Sequence, residues 1–399
     1  MAMGLKTLIG AACALMIASP FGAMASSPTL TRADLREGVD LSGTWRYSVD
    51  PYRDGLAGFH RGAPGPGHRR YDDVDVDALT RAKPNALYEY DMDKSPIATL
   101  PQGWIGHDPT LRYYQGLMWY QRRFDAPPLK PGQRAFLRFE AVNYTAKVYL
   151  NGKPVGEHEG GFTPFSLEVT NVLRASDNRL TVGVDSTPQA DGVPPPVTDW
   201  ENYGGITRPM RLVITPGTFI DDAWVRLSKD GGIAATVTLD GARAANQEVH
   251  VRVAELGLDI AGKTDAKGVL NVSAPAPKRL ARWSPENPKL YDVVVQTGED
   301  RMTDRVGFRT IETKGSEILL NGKPIFLRGI SIHEEELGDN PARTITEAGA
   351  RALLGEVKDG LHGNFVRLAH YPHSEITTRL ADEMGLLVWS EIPVYWLVD

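Results

Sequence analysis

The chain has 399 residues, of which 42% are hydrophobic and 24% are charged, a composition that excludes a wholly disordered chain, a collagen and a multi-span membrane protein. Its formal net charge is −6, with acidic and basic residues interspersed and no long basic block, so nothing indicates a nucleic-acid partner. The length predicts two or three domains, and the 40 glycines and 28 prolines favour turns and loops over long helices.

Residues 1–25 have the pattern of a secretory signal peptide. Lys6 precedes an apolar run over 8–17, and Ala23-Met24-Ala25 matches the small residues found before a cleavage site. We expect a secreted or periplasmic protein that is not in a membrane after cleavage; an uncleaved anchor and a lipoprotein cleaved before Cys13 are the alternatives. Because Cys13 is the only cysteine, the mature chain is predicted to contain no disulfide, thiolate metal site or catalytic cysteine.

The next segment, 26–216, is predicted to be a jelly-roll β-sandwich. Short alternating runs rich in strand formers are separated by close-set turns, which is typical of such folds. The Asn151-Gly152 pair is a strong hairpin signal. The polar, Gly- and Pro-rich stretch 51–94 is interpreted as a long surface excursion. The predicted strands cover 41–47, 116–124, 134–150 and 180–184.

A second all-β pattern covers 217–310. About ninety residues of short alternating strands are typical of an immunoglobulin-like β-sandwich. The predicted strands lie at 224–227, 234–239, 249–253 and 291–295.

From 311 to 399 the pattern changes to strand–helix–strand–helix–strand with short loops, which predicts parallel α/β structure. A threonine before the first helix and Gly385 after the second are expected cap positions. The segment is read as the start of a (β/α)8 barrel. The predicted elements are a strand at 325–332, a helix at 344–360, a strand at 365–369, a helix at 374–384 and a strand at 386–389.

Ionisable residues follow each of the three predicted parallel strands. Because barrel active sites form at the C-terminal ends of strands, these residues are expected on one rim. Carboxylates and imidazoles there can bind hydroxyl groups, which favours a polyhydroxylated ligand. Trp389, Tyr395 and Trp396 could cover a sugar ring, although Trp389 is predicted to be barrel core. The rim residues are His333, Glu334, Glu335 and Glu336 after the first strand, Arg367, His370, Tyr371 and His373 on the second, and Glu391 after the third.

Three other chemistries have weaker signals. His333, His370, His373 and Glu391 could bind a metal ion, but they lie on different strands and lack His-Glu-x-x-His spacing. The Gly-x-Ser-x-Gly motif of serine hydrolases and the phosphate-binding Gly-x-x-x-x-Gly-Lys motif are both absent from the sequence.

Ordered motifs across nearly the whole chain after residue 25 resemble glycoside hydrolase family 2, which includes β-galactosidases and β-glucuronidases. The resemblance implies the three domains above, with signal peptide 1–25, jelly-roll sugar-binding domain 26–216, immunoglobulin-like domain 217–310 and barrel start 311–399. The motifs that carry it lie at 116–124, 149–156, 159–165, 202–208, 283–291, 306–309, 320–324, 333–334, 364–372 and 382–386.

The resemblance also implies substrate-binding roles for individual residues. Asp199 matches an acidic residue that reaches from the jelly roll to the terminal sugar; a turn cap is its alternative role. His333 and His370 match imidazoles that line the sugar pocket. Arg367 matches an arginine that orients the catalytic carboxylate, and Glu391 matches a carboxylate interpreted as a supporting group, not as the acid/base.

The implied activity is that of a retaining exo-β-glycosidase, which needs an acid/base and a nucleophilic carboxylate. In the family the acid/base belongs to an Asn-Glu pair after the fourth barrel strand, and the nucleophile follows the seventh. The sequence contains no Asn-Glu pair, and 311–399 is much shorter than the roughly 250 residues of a full barrel. We therefore expect a fragment of such an enzyme that is inactive alone. No catalytic residue is assigned within the sequence, because the catalytic glutamate pair is expected beyond Asp399.

A non-catalytic carbohydrate-binding protein is the main alternative, and a structural or adhesion protein is a third. The expected partner is a β-linked sugar; the residues that separate galactose from glucuronate are expected on later strands. No cofactor is predicted: Mg²⁺ or Na⁺ serves some family members, but no ligand set is evident. A homo-oligomer is compatible with the sequence.

Overall fold

The computed structural model describes residues 28–53, 55, 92–335 and 345–394. The predicted signal peptide with Cys13, most of the predicted surface excursion, Glu336, Tyr395, Trp396 and Asp399 lie outside these ranges. Within them, no helix is both long and apolar enough to cross a membrane.

The first domain is a sandwich of antiparallel strands, so the predicted jelly-roll fold class is confirmed. Its two main sheets have the orders β1-β13-β6-β10 and β3-β2-β5-β11-β8-β9, and a small sheet has the order β4-β12-β7. The strands are β1 (Gly38–Asp40), β2 (Gly43–Asp50), β3 (Ile97–Leu100), β4 (Gln102–Gly103), β5 (Leu117–Phe124), β6 (Arg134–Phe139), β7 (Val142–Asn143), β8 (Thr145–Leu150), β9 (Lys153–Glu159), β10 (Phe165–Glu168), β11 (Asn178–Asp185), β12 (Gly205–Ile206) and β13 (Met210–Thr215).

The core of this sandwich contains side chains from both main sheets. Trp45 and Tyr120 come from the six-stranded sheet, and Leu137 and Leu212 come from the four-stranded sheet. Strand β5 is buried on both faces, because Trp119 packs on the side opposite Tyr120. The predicted Asn151-Gly152 hairpin turn joins β8 to β9, with both residues at positive φ, as a tight turn between twisted strands requires.

The second domain is the predicted immunoglobulin-like sandwich. One sheet has the order β14-β15-β18 and the other β17-β16-β19-β20. Alternate residues of β15 are buried, which explains the period-two pattern of its sequence. The strands are β14 (Thr218–Leu227), β15 (Gly232–Gly241), β16 (Glu248–Val253), β17 (Leu258–Lys263), β18 (Val269–Pro275), β19 (Tyr291–Thr297) and β20 (Asp300–Val306).

The third region begins with a small antiparallel sheet and continues as a parallel α/β unit. Strands β24, β25 and β26 pair in parallel in chain order, as predicted. Both helices pack on one face of this sheet. The elements are β21 (Ile311–Lys314), β22 (Glu317–Leu320), β23 (Lys323–Pro324), β24 (Gly329–Ile332), α1 (Glu347–Gly355) with a π-helical continuation (Glu356–Gly360), β25 (Phe365–Leu368), α2 (Glu375–Met384) and β26 (Leu387–Ser390).

The predicted strand at 325–332 is too long, because β24 begins only at Gly329. Before Gly329, the side chain of Asn364 makes hydrogen bonds to the backbone that a neighbouring strand would otherwise make. Its Oδ1 accepts the Arg328 N–H at 2.8 Å, and its Nδ2 donates to the Phe326 carbonyl at 3.0 Å. The predicted caps are present: the Thr346 hydroxyl accepts the Gly349 N–H at 3.1 Å before α1, and Gly385 ends α2 at φ +75°.

Trp283 joins the immunoglobulin-like domain to the α/β unit. Its fully buried ring donates from Nε1 to the Asp382 carbonyl at 2.8 Å, and the Arg309 guanidinium lies over the ring. Arg309 also pairs with the Asp382 carboxylate at 2.8 Å. These contacts fix the end of α2 against the second domain. Short 3₁₀ turns elsewhere lie at Ala33–Leu35, Met92–Lys94, Trp104–Gly106, Pro109–Leu111 and Ala254–Leu256.

Candidate active site

The parallel sheet places the predicted rim residues on the face that the helices leave uncovered. Ser331, Arg367 and Trp389 are paired neighbours across β24, β25 and β26, so their side chains share one face. Val366 and Leu368 point to the opposite face, where they pack with α1 and α2. His370 and Glu391 follow β25 and β26 directly, and they meet Arg367 at the C-terminal edge of the sheet.

Arg367, Glu391 and His370 form a compact polar cluster. The Arg367 guanidinium donates to Glu391 from Nε at 2.6 Å and from Nη2 at 3.2 Å, a two-point contact that fixes the plane of the carboxylate. His370 Nδ1 lies 3.2 Å from Glu391 Oε2 and 3.2 Å from Arg367 Nη2. Three of the five predicted substrate-binding residues are therefore in mutual contact.

Asp199 reaches this cluster from the jelly roll, as the resemblance implies. Its Oδ1 lies 3.7 Å from His370 Nε2, so the imidazole lies between two carboxylates that belong to different domains. The indole ring of Trp200 lies against His370 with ring centres 5.1 Å apart. The jelly-roll loop at 198–203 and the barrel rim thus form one surface.

His333 completes the set of five. Its ring contacts the edge of His370 with centres 5.4 Å apart, and its Nδ1 lies 3.3 Å from the Tyr371 hydroxyl. Burial and the neighbouring His370 lower the pKa of His333 below its usual value. The Tyr371 hydroxyl also accepts the Glu334 N–H at 3.3 Å, so its own proton is available for Nδ1, which suits a neutral His333 with its proton on Nε2.

The charge state of Glu391 bears on its role. Burial raises the pKa of this carboxyl, but hydrogen bonds and charge from Arg367 and His370 lower it more, and the net result is a pKa below the usual value. A general acid needs a raised pKa so that it holds a proton near neutral pH. The geometry therefore suits the supporting role expected for Glu391 and not that of the acid/base.

The expected catalytic glutamate pair is not assigned to any of the described residues. Sequence reasoning places it beyond Asp399, and the described part of the chain ends earlier, at Val394. That placement therefore stays a prediction. Neither the acid/base nor the nucleophile is assigned to a residue of the described rim.

Glu334 does not line the open rim where the strand pattern placed it. It is buried in an ion pair with Arg208 of the jelly roll, which donates from Nε at 2.9 Å and from Nη2 at 2.5 Å. Its other oxygen accepts the Ser374 N–H at 2.8 Å. Burial raises the pKa of Glu334, but the charges of Arg208 and His373 and the hydrogen bonds from Ser374 together lower it more, so the net shift is downward. The carboxylate joins two domains and does not face a ligand.

Arg208 was missed as a functional residue by sequence reasoning, although its motif was noted. Besides Glu334, it donates to the Phe162 carbonyl at 3.1 Å and to the Pro372 carbonyl at 2.6 Å. These bonds attach the loop after β25 to the jelly roll. In the sequence, Arg208 is a single arginine shortly after Gly204-Gly205. This pattern does not predict an ion pair with a glutamate 126 residues later.

His373 is also not a ligand of the open rim. It is buried, its Nε2 lies 3.0 Å from the Ala369 carbonyl, and its ring stacks on Tyr371. Phe162 of the jelly roll stacks on the other side of this pair, 4.1 Å from the Tyr371 ring centre. Phe162, Tyr371 and His373 thus form an aromatic column beside the Arg208–Glu334 pair.

The prediction that Trp389 belongs to the core is wrong, since its side chain is 58% exposed. Strand β26 lies at the edge of the described sheet, and Trp389 points away from the face that α1 and α2 cover. Among the described residues, nothing covers that position.

The metal alternative receives no support from the described ranges, which contain no group of three or more His, Cys, Asp or Glu side chains arranged to hold a metal ion. Two of the residues considered for it have other partners: Glu391 is bound by Arg367, and His373 contacts Ala369.

Three family models match consecutive parts of the chain. The sugar binding domain of glycosyl hydrolases family 2 matches 40–216, the model described as glycosyl hydrolases family 2 matches 218–309, and the TIM barrel domain of that family matches 311–397. The chain belongs to glycoside hydrolase family 2. Its fold class, with two β domains followed by part of a TIM barrel, is the one predicted.

Similar proteins carry two glycosidase names. A β-galactosidase of Thermoanaerobacter pseudethanolicus is 30% identical over 334 residues, which are 77% of this chain and 44% of that protein. A β-glucuronidase of Streptococcus agalactiae is 31% identical over 314 residues, which are 72% of this chain and 51% of that protein. The chain thus spans about half the length of these curated relatives.

A solved structure shows the same fold. The β-glucuronidase from an uncultured Clostridium species superposes with a TM-score of 0.69 at 27% identity, covering 90% of this chain and 59% of that one.

Proposed function

We propose that this family 2 chain provides the sugar-binding side of a retaining exo-β-glycosidase that hydrolyses O-glycosyl bonds in β-galactosides or β-glucuronides. The observation that carries the proposal is the contact of Asp199 with His370 at the edge of the parallel sheet, where Arg367 and Glu391 also meet. This joins a jelly-roll loop to a barrel rim at one polar site. The names of the relatives, β-galactosidase and β-glucuronidase, support the reaction class.

The cluster has the donors and acceptors that a terminal sugar needs. Asp199 and Glu391 accept hydrogen bonds from hydroxyl groups, while Arg367 and the two imidazoles donate them. Arg367 keeps Glu391 ionised, so this carboxylate is a fixed acceptor at neutral pH. Trp200 offers an apolar ring surface next to His370. The hydrogen-bonding groups match the hydroxyl-bearing edge of a pyranose, and the Trp200 ring matches its apolar face.

We also propose that the 399-residue chain alone does not hydrolyse glycosides. Glu391 at the rim and the buried Glu334 both have lowered pKa values, whereas the acid needs a raised one. The sequence contains no Asn-Glu pair for the family's acid/base. The chain is expected to bind sugar without turnover.

Calorimetry and an activity assay test these proposals together. The purified chain should bind galactose or glucuronate saturably and release no nitrophenol from the 4-nitrophenyl β-glycosides of either sugar. Asp199→Ala should abolish binding, because it removes the jelly-roll side of the site. Asp292→Ala, an exposed carboxylate on β19 of the immunoglobulin-like sandwich, is the matched control and should bind as the wild type does.

Two results would overturn the proposals. Turnover that survives purification and disappears in Glu391→Gln would make Glu391 a catalytic group and end the claim of inactivity. Equal sugar binding by Asp199→Ala and the wild type would place the sugar elsewhere. Binding without turnover in every longer form of the protein would instead favour a non-catalytic carbohydrate-binding protein.

We further propose export of the protein from the cytoplasm. The support is the sequence of residues 1–25, with Lys6 before an apolar run and a small-x-small cleavage pattern ending at Ala25. Expression of the full chain in a bacterial host, followed by cell fractionation and mass spectrometry, should give a mature protein that begins at Ser26 outside the cytoplasm. An intact N-terminus in the cytoplasmic fraction contradicts this.

A further inference from the structure

A cavity of about 760 Å³ opens in the jelly roll beside the candidate active site. Its volume falls within the range of about 300–1,000 Å³ that is usual for ligand pockets. It lies between the loops 104–115 and 186–204, with Asn143 and Tyr144 at its base. None of the five substrate-binding residues predicted from sequence lines it.

The walls of the cavity combine aromatic rings with polar side chains. Tyr113, Tyr114 and Trp200 supply rings, and the Tyr113 side chain is 87% exposed. Arg112, Gln115 and Glu201 supply polar side chains, for which the described ranges contain no hydrogen bond or ion pair. The cavity thus combines aromatic faces with hydrogen-bonding groups that are positive, negative and neutral. This combination suits an uncharged, polyhydroxylated ring better than an anion, a cation or an apolar ligand.

The walls are also held in place before any ligand binds. Trp200 Nε1 donates to Asn202 Oδ1 at 3.1 Å, and the Thr198 hydroxyl donates to the Trp200 carbonyl at 2.6 Å. On the other side, the Tyr144 hydroxyl accepts the Val193 N–H at 3.1 Å, just before the stiff run Pro194-Pro195-Pro196. Side chains that are ordered in advance lose less entropy when a ligand binds.

The cavity adjoins the proposed terminal-sugar site. Trp200 lines it and also lies against His370, and Asp199 is the adjacent residue. Tyr203 lines it as well, and its hydroxyl donates to Glu335 of the barrel rim at 3.2 Å. Trp200 therefore borders both the cavity and the site proposed for the terminal sugar, and Tyr113 lies in the lining of the same cavity.

We propose that this cavity binds the leaving-group portion of a neutral β-linked oligosaccharide, with Tyr113 as a stacking surface and Gln115 as a hydrogen-bonding group. The inference rests on the proposed function, because that function places the terminal sugar at Asp199 and His370. It adds that the preferred substrate is a glycan chain and not a small aryl glycoside.

Fluorescence and calorimetric titration of the full chain test the proposal without requiring turnover. The probes are β-1,4-galactotriose and a trisaccharide with a terminal β-glucuronate and neutral inner sugars, each compared with its terminal monosaccharide. At least one trisaccharide should bind about tenfold more tightly than its monosaccharide, which corresponds to about 1.4 kcal/mol. Tyr113→Ala should remove most of that gain and Gln115→Ala part of it, with monosaccharide affinity unchanged. Tyr113 is exposed, so its replacement does not disturb the core.

Trp224→Ala is the matched control, since Trp224 is an exposed aromatic residue in the immunoglobulin-like domain. It should retain the trisaccharide preference. Equal affinities for trisaccharides and monosaccharides, or a preference that persists in Tyr113→Ala, overturns the cavity proposal. A failure of the proposed function would give a different result. In that case Asp199→Ala would leave monosaccharide binding intact, while Tyr113→Ala would still weaken trisaccharide binding.

Discussion

Two arginine–glutamate pairs lie close together at the junction of the jelly roll and the barrel segment, and they differ in burial. In Arg208–Glu334 the side chains are 8% and 6% exposed, whereas in Arg367–Glu391 they are 40% and 18% exposed. Arg208 donates twice to one oxygen of Glu334, whereas Arg367 donates to both oxygens of Glu391. The buried pair joins two domains, and the open pair faces the site that we propose binds sugar.

The surroundings of the pairs support this distinction. The remaining hydrogen bonds of Arg208 and Glu334 go to the backbone of Phe162, Pro372 and Ser374, so no polar group is left for a ligand. Around Arg367 the neighbours are side chains of His370 and Ser331. Arg208 and Glu334 are thus bonded largely to backbone atoms, whereas Arg367 and Glu391 are bonded to side chains.

Removal of Arg208 is expected to have the largest effect. Arg208→Ala leaves the Glu334 carboxylate buried without its cation, which costs about 3–5 kcal/mol of unfolding free energy. Urea unfolding followed by tryptophan fluorescence measures the loss. The double variant Arg208→Met with Glu334→Leu removes both charges and should lose much less. If the double variant is as unstable as the single one, packing and not charge accounts for the effect.

The buried pair should also make stability depend on pH. The folded-state pKa of Glu334 is lowered, so its contribution is complete above the usual glutamate value of about 4.3 and is lost as pH falls through the folded-state pKa. The free energy of unfolding of the wild type should therefore exceed that of Glu334→Gln at pH 7 and approach it below pH 4. A constant difference over this range contradicts the assignment of charge pairing.

Loss of the open pair, Arg367–Glu391, should affect sugar affinity more than the free energy of unfolding. Arg367→Met is expected to lower sugar affinity about tenfold, or about 1.4 kcal/mol, because Glu391 loses its orientation. It should change the free energy of unfolding by less than about 1 kcal/mol, as is usual for partly exposed pairs. Calorimetry and urea unfolding give the two quantities, and Arg301→Met in the immunoglobulin-like domain is the control. Loss of stability without loss of affinity would make this pair structural too.

The sequence was sufficient for the domain types and for the rim residues near strand ends. Arg367, His370 and Glu391 meet because parallel strands present their C-terminal ends together, a rule that needs no partner information. Asp199, in a jelly-roll loop, was expected there only from the family resemblance. Glu334 and Arg208 show the limit of that rule. A residue directly after a strand can point to solvent or into a domain contact, and the choice depends on a residue from another domain.

Trp389 shows the same limit on a smaller scale. Its position in an apolar strand predicts burial, but burial of that face depends on what covers it, which the strand pattern does not specify. The jelly-roll cavity was missed for a related reason. Its lining residues lie in loops, without period or motif, and only the folded chain brings 104–115 next to 186–204.

The smallest expected effect concerns Trp389. Because the side chain is 58% exposed, Trp389→Ala should change the free energy of unfolding by no more than about 0.5 kcal/mol, whereas a core tryptophan would cost about 3–5 kcal/mol. Trp283→Ala, at a fully buried ring between the second domain and α2, is the matched comparison and should show the large loss. A loss of several kcal/mol in Trp389→Ala would mean that this face of the sheet is covered in solution, and that Arg367, its neighbour on the same face, is less open than its pairing with Glu391 indicates.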